Sequence, residues 1–244
     1  MTERTLIRLT GTDAHSFLQG LITNDVNKAE KGLVYAALLT PQGKYIADFF
    51  VLALDGVLHI DVATSHAPTL AQRLSMYRLR ADVVIEESTI NVSRGTNGTP
   101  TDALPDPRHP TLGWRQYGTT VETDNTDWDA LRVAHVIPET GIELTQDTYI
   151  LEAGFERLNG VDFRKGCYVG QEIAARMKHK TQLKKGLAQV DVVGDVPVGT
   201  DITTDGKPAG TLFTHTNGLG IAYLRFDRAN GTMQADTAVL TRTK

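Results

Sequence analysis

A chain of 244 residues, 41% hydrophobic and 22% charged, has enough apolar material for a sizeable core in one large domain or in two or three small ones. A net charge of -4 speaks against a generally basic nucleic-acid binder, and a single cysteine rules out an internal disulfide and a four-thiolate metal site within one chain. Met1-Thr2-Glu3-Arg4 opens no apolar segment and no run approaches the roughly 18 apolar residues of a membrane span, so the expectation is a cytoplasmic protein that does not enter a membrane.

In chain order, Leu6 to Leu9 reads as a strand, and Asp13 as the cap of a short helix through Phe17 and Leu18. Val34 to Leu39 and Tyr45 to Leu54 are apolar enough for buried strands, and Asp55-Gly56 before Val57-Leu58-His59-Ile60 signals a hairpin. His59 and Asp61 alternate along that second arm; with His66 they are of metal-binding type, though such residues more often line a solvated sheet face. Ser65 is expected to cap a helix with Leu70, Leu74 and Tyr77 on one buried face, after which Val83 to Ile85 resumes the sheet. Residues 94 to 110, rich in Gly, Thr, Asp and Pro, read as a connection or mobile loop between subdomains. A helix from about Asp127 to Val136 ends ahead of Pro138. From Gly186 onward, short β-type runs alternate with turns at Asp205-Gly206 and Asn217-Gly218, which predicts a small antiparallel barrel or sandwich. Strands and helices interleave without steady alternation, so the class is α+β with antiparallel sheets. The expected domains are 1–182, with a subdomain break near 94–110, and 183–244.

The densest chemical signal is Lys165-Gly166-Cys167-Tyr168-Val169-Gly170-Gln171-Glu172, which sets the only cysteine between two glycines ahead of a helix expected over Gln171 to Lys178. Two readings of Cys167 stay open. In one, helix N–H groups together with Arg164 and Lys165 favour a reactive thiolate; in the other, the side chain is a small buried hydrophobe. Gly166 and Gly170 allow unusual backbone conformations or close approach of a ligand. His179 lies past the helix with no third residue to orient it, so a cysteine-histidine hydrolase finds no support.

This motif, with Phe163 before it and Ala175-Arg176 after it, resembles the signature of the YgfZ family of folate-binding proteins, relatives of the glycine-cleavage T-protein that act in iron-sulfur protein maturation and repair. The run Phe17 to Val26, then Gln42-Gly43-Lys44, Ile137-Pro138-Glu139, Glu143-Leu144 and Leu151-Glu152 agree in the same order, so the resemblance spans roughly residues 5 to 190. It implies a T-protein-like folate-binding fold and a tetrahydrofolate (or derivative) pocket with Thr23, Asn24 and Asp25 near it. It further implies that Lys165, Gly166, Cys167, Tyr168, Gly170, Gln171 and Glu172 are the functional signature, the cysteine bonding transiently to iron, sulfur or a partner thiol. T-protein-like enzymes use an acidic pair after a glycine turn to assist one-carbon transfer; the stretch from Gly43 to Asp48 keeps only Asp48. The region around Asp106-Pro107-Arg108 and Gly113-Trp114-Arg115 looks unrelated to their glycine-rich pterin-holding segment.

The leading expectation is therefore a tetrahydrofolate-binding accessory factor for iron-sulfur assembly, maturation or repair, without classical turnover and without a stably bound metal. Its partners would be iron-sulfur assembly proteins and client enzymes. One alternative is a folate-dependent aminomethyltransferase-like enzyme using Asp48. Another is a tRNA-modification factor using Arg176, Lys178, His179, Lys180, Lys184 and Lys185, a basic cluster that equally suits a folate's glutamyl tail or a solvated helix end.

Overall fold

A computed structural model describes residues 3–118, 125–179 and 182–243. Contacts divide the chain into two compact units, Met1–Thr126 with Phe155–Ala175, and Asp127–Gly154 with Arg176–Lys244.

The first unit is built on five antiparallel strands, β1 (Arg4–Thr10), β2 (Val34–Leu39), β3 (Tyr45–Leu54), β4 (Val57–Ala63) and β5 (Val84–Ser88), in the order β2-β3-β4-β1-β5. Asp55 and Gly56, at φ of 50° and 77°, form the β3–β4 turn that the Asp-Gly pair predicts, since such turns need positive φ at both central residues. Alternation along each strand decides what faces where. Val34, Ala36, Phe49, Val51, Ile60 and Val62 form one face of the sheet, packed in a core with Leu18 of α1 (Ala14–Gln19) and Leu70 and Leu74 of α2 (Ala67–Arg78). The register pairs Tyr35 with Phe50, and Phe50 with Asp61, on the opposite face.

Two cap expectations are corrected. Asp13 precedes α1 but makes no side-chain bond to it; its Oδ2 accepts from the Asp82 amide (2.8 Å), tying the helix start to the approach of β5. Ser65 lies in a short 3-10 turn, Thr64–His66, and α2 starts after His66 with Pro68 in its first turn, where a missing N–H is no loss.

The stretch 94–110, expected as a connection or mobile loop, is mostly turns and bends, with the end of one strand and one short strand within it. β6 (Asn91–Gly95), β7 (Leu104–Pro105) and β8 (Trp114–Gly118) make a three-stranded antiparallel sheet in the order β6-β8-β7. Its turn-rich composition belongs to the connections between short strands, while Asp106 and Arg108 are buried.

In the second unit, α3 (Trp128–His135) is capped by Asp127, which accepts from the Ala130 amide (2.9 Å), and ends at Val136 in the left-handed region. Six strands, β9 (Lys185–Val193), β10 (Thr200–Thr204), β11 (Lys207–Thr216), β12 (Leu219–Arg225), β13 (Thr232–Ala235) and β14 (Ala238–Arg242), close into a barrel in the order β10-β11-β12-β9-β14-β13. Closure leaves no open edge, and Val190, Ile202, Leu212, Leu224, Met233 and Leu240 fill the interior. The fold is thus α+β with antiparallel sheets and a C-terminal barrel, as the sequence predicts. Among the described residues no helix is long and apolar enough to cross a membrane.

Candidate functional site

The motif precedes α4 (Gln171–His179) and is anchored from below by its lysine. Lys165 is 8% exposed, and its Nζ donates to the carbonyls of Gln19 (2.7 Å) and Ile22 (2.6 Å). The ammonium also lies 5.2 Å from the Tyr168 ring centroid, and burial lowers its pKa to about 8. The cation expected to support a thiolate is therefore turned inward onto backbone oxygens. Arg164 remains largely in solvent, with its Nε 3.7 Å from Asp162 Oδ1.

Gly170, at φ 83°, is where the motif needs glycine. A Cβ there would stand 2.6 Å from the Thr40 carbonyl oxygen and 3.2 Å from the Gly43 Cα, and a Cβ on Gly43 would stand 2.7 Å from Ile173 Cβ. Two glycines of separate motifs thus let the start of α4 seat on the β2–β3 turn. Gly166 has negative φ and open space around it. Between these anchors Cys167 is exposed, which removes the buried-hydrophobe reading. Tyr168 is buried at 7% exposure, with no hydrogen-bond partner for its hydroxyl among the described residues, and burial raises its pKa to about 12. Gln171 opens α4 by donating its amide to the Tyr168 carbonyl (3.2 Å), and Glu172 is exposed in the first turn.

Thr23 and Asn24 hold the motif-bearing segment against β2. The Thr23 hydroxyl donates to Gly160 O (2.7 Å) and accepts from the Ala37 amide (2.9 Å), while Asn24 Nδ2 donates to Tyr35 O (2.8 Å) and Asn159 O (2.7 Å). Asp25 caps the following 3-10 turn, Val26–Glu30, accepting from Asn27 N. All three side chains are engaged with the protein itself.

Asp48 lies on the second face of the sheet, 5% exposed, where it accepts from the Tyr35 hydroxyl (2.9 Å) and the Tyr45 hydroxyl (2.7 Å). Beside it runs an ion network that the sequence did not single out. Arg4 Nε donates to Asp61 Oδ1 (2.6 Å), and Arg115 bridges Asp61 (3.1 Å) and Asp106 (3.2 Å). Tyr117 donates to Asp61 (2.9 Å), and Arg108 binds Asp106 through two nitrogens (3.0 and 2.8 Å). The Arg115 guanidinium lies 3.9 Å from the Phe50 ring centroid and that of Arg108 lies 4.9 Å from it, with Tyr35 stacked on Phe155 at 5.0 Å. Burial by itself would raise Asp61, but Arg4 and Arg115 outweigh it and hold the carboxyl below its ordinary value; burial is likewise outweighed at Asp106 by Arg108 and Arg115, which hold it far below. Three guanidiniums share the two carboxylates Asp61 and Asp106, with the Asp48 carboxyl on the same face. His59 and Asp61 are buried at 4% and 0% exposure, which corrects the solvated-face reading, and no cluster of three metal-ligating side chains occurs among the described residues. A signal was available in hindsight: Arg115 and Tyr117 stand two apart in β8, hence on one face, and Asp106-Pro107-Arg108 sets opposite charges around a rigid residue.

This face thus brings together aromatic rings, a buried carboxyl at Asp48 and three guanidiniums paired with Asp61 and Asp106. Arg108, at 7% exposure, is the least covered of these guanidiniums after Arg4. Of the basic cluster, which belongs to the second unit, Arg176, Lys178, His179, Lys184 and Lys185 are exposed; Lys180 lies outside the described residues.

This architecture is that of the T-protein class. A glycine cleavage system aminomethyltransferase T from Bartonella henselae shares it with a TM-score of 0.78 over 100% of this chain and 83% of that one, at 12% identity, a likeness of fold. A family model described as "CAF17, C-terminal beta-barrel domain" matches residues 184–244. A protein of Neurospora crassa, described as a mitochondrial iron-sulfur cluster assembly factor IBA57 homolog, is 31% identical over 76% of this chain and 51% of its own length. The mouse mitochondrial factor IBA57 is 27% identical over 96% of this chain and 79% of its own. This chain is similar to the IBA57/CAF17 (YgfZ) proteins, and it spans about half the length of the Neurospora relative.

Proposed function

We propose that this chain is an accessory factor for the assembly, maturation or repair of iron-sulfur proteins, with Cys167 as its working thiol. The observation that carries the reading is the exposure of the sole cysteine on a loop pinned by Lys165 and Gly170. A loop held on both sides presents its sulfur at a fixed place, which suits transient ligation better than a flexible tail does. Cys167 gives its proton to solvent and a sulfur lone pair to an iron of the cargo cluster; the other ligands come from the partner, because one thiolate holds one corner only. The described relatives are named as iron-sulfur cluster assembly factors, which supports this class of cargo. A reducing, cytoplasmic setting keeps a lone thiol available.

In cells lacking the chain, Cys167→Ser at wild-type protein level is expected to leave iron-sulfur enzyme activity uncorrected; full restoration would reduce the cysteine to a structural residue. A tetrahydrofolate-type ligand belongs to the same reading, held by the aromatic and guanidinium face with Arg108 displaced from Tyr35 and Phe50. Titration of the purified chain with tetrahydrofolate is expected to saturate, and to weaken about tenfold in Arg108→Ala, the loss of one charge-assisted contact. Absence of saturable binding would remove the folate and leave the thiol untouched.

A further inference from the structure

The outer surface of the barrel is covered on one side only. α3 packs on β11, β12 and β9, where Gln189 donates to the Val133 (2.9 Å) and Ala134 (3.1 Å) carbonyls. The outward positions of β13, β14 and the end of β9 stand in solvent. Register sets Thr203 beside Gln234, Gln234 beside Val239, and Val239 beside Val193; two residues along, Thr232 lies beside Thr241 and Thr241 beside Asp191. Residues paired across neighbouring strands point the same way, so Val193 and Val239, 72% and 44% exposed, form one apolar pair. Val198, in the loop that leaves β9 at the same end, is 56% exposed. Three of the six large hydrophobics exposed among the described residues thus fall in this one place, on a closed barrel that has no strand edge for them to guard.

The charge around these valines has one sign. Residues 190–204 and 232–241 hold four aspartates, Asp191, Asp195, Asp201 and Asp236, and neither lysine nor arginine. The three connections at this end of the barrel, 194–199, 217–218 and 236–237, likewise hold no lysine or arginine. All four aspartates are exposed. The carboxylates of Asp191, Asp201 and Asp236 have no hydrogen bond or ion pair among the described residues, and Asp195 Oδ1 lies 3.1 Å from His215 Nε2. The cations of the barrel gather at its other end. Lys185 opens β9 opposite Arg225, Lys207 pairs with Thr204 where β10 finishes, and Arg242 lies over the Phe226 ring, 4.5 Å from its centroid.

We propose that this end of the barrel, with Val193, Val198 and Val239 framed by Asp191, Asp195, Asp201 and Asp236, is a docking surface for a protein whose contact face sets apolar side chains among lysines and arginines. Exposed valines lying together select a protein, and unneutralised carboxylates select a cationic one; the phosphates of a nucleic acid or an anionic membrane would be repelled. A second copy meeting this face across a two-fold axis would set aspartates against aspartates. A copy meeting it head to tail through Lys184 and Lys185 would make a contact that does not close. The surface belongs to the unit that does not contain Cys167, so docking and thiol chemistry separate by mutation. Under the proposed function, on which this step rests, the partner is an iron-sulfur assembly or client protein.

The test immobilises the full chain and titrates the host's purified iron-sulfur scaffold, carrier and client proteins one at a time, at low and at high ionic strength. Wild type is expected to bind at least one of them, less tightly at high salt. Asp191→Lys/Asp236→Lys should weaken that binding at least about thirtyfold. Val193→Thr/Val239→Thr keeps the branching a strand favours but adds hydroxyls that an apolar partner must strip of water, and should weaken it about tenfold. Both pairs are exposed, so melting temperatures should stay near that of wild type. Glu87→Lys/Asp102→Lys makes the same change in net charge on exposed residues of the other unit and should bind as wild type does. Cys167→Ser should dock normally even though it fails in complementation. Wild-type binding by either barrel variant, or equal weakening by Glu87→Lys/Asp102→Lys, overturns the docking surface and leaves the proposed function to the complementation result. Binding to none of these proteins, or to phosphatidylglycerol vesicles or tRNA in their place, also overturns it. So does self-association of wild type that Asp191→Lys/Asp236→Lys abolishes, which would make a second copy the occupant.

Discussion

Lys165 is a charged side chain held where burial opposes its charge, and the pH dependence follows from that. Its pKa falls from 10.5 to about 8 on folding, so between those values the unfolded chain binds more protons than the folded one. Stability contributed by this group therefore rises with pH across that window, and the burial penalty is fully present below it. The stability difference between wild type and Lys165→Met, from urea midpoints, is expected to shift in favour of wild type between about pH 7.5 and 10; a pH-independent difference would show that the ammonium is not desolvated. Arg115 acts through its partners with the same slope at lower pH, where the contribution is a gain rather than a penalty. Asp61 and Asp106 have folded pKa values below the ordinary carboxylate value, so their contribution is present above about pH 4 and is lost as pH falls through the lowered values. Arg115→Met strips both of a shared cation and should cost about 3–5 kcal/mol, with the acid-unfolding midpoint moving to higher pH. An unchanged acid midpoint would mean that Arg4 and Arg108 suffice.

At the scale of elements, the two motif glycines should part company. Gly170→Ala meets the Thr40 carbonyl at 2.6 Å with φ at 83°, so the start of α4 must lift from the β2–β3 turn, at a cost of roughly 1–3 kcal/mol. Gly166→Ala has open space and ordinary φ, and is expected to fall within about 0.5 kcal/mol of wild type. A Gly166→Ala protein of normal stability that fails in complementation would assign that glycine to access around Cys167; normal function would make it neutral. The same elements mark what a sequence can disclose. Hairpins at Asp55-Gly56 and Asn217-Gly218, the strands around them and the helix after the cysteine were legible, because turn chemistry and periodicity are local. The sheet of β6, β7 and β8 was not, because Arg115 fixes it to Asp61, 54 positions away, and composition carries no sign of that pairing. The motif was legible as a motif, yet the direction of Lys165 was not: its acceptors lie 146 and 143 positions earlier.

For the molecule as a whole, the question is whether its two units stand or fall together. The second unit is knitted by one buried guanidinium. Arg132, 3% exposed, donates to Ile137 O (3.1 Å), Glu143 Oε2 (3.0 Å) and Thr214 Oγ1 (2.9 Å), and the Thr214 hydroxyl donates onward to Glu143 Oε1 (2.6 Å). The network joins the 127–154 segment to β11, so the barrel's stability includes residues that are not barrel strands. Arg132→Met leaves the buried Glu143 carboxylate with the Glu139 and Thr214 amides and the Thr214 hydroxyl but without its buried cation, and a loss of about 3–5 kcal/mol is expected. Arg132→Met/Glu143→Gln should recover part of it, because removing both charges avoids the unpaired one. Hydrogen exchange separates the outcomes: amides of β9, β11 and β12 should lose protection in Arg132→Met while those of β2, β3 and β4 keep theirs, the signature of a unit that opens by itself. Equal loss in both sets would mean that the chain unfolds as one cooperative body and that this network supports the sheet carrying the cysteine motif as much as the barrel.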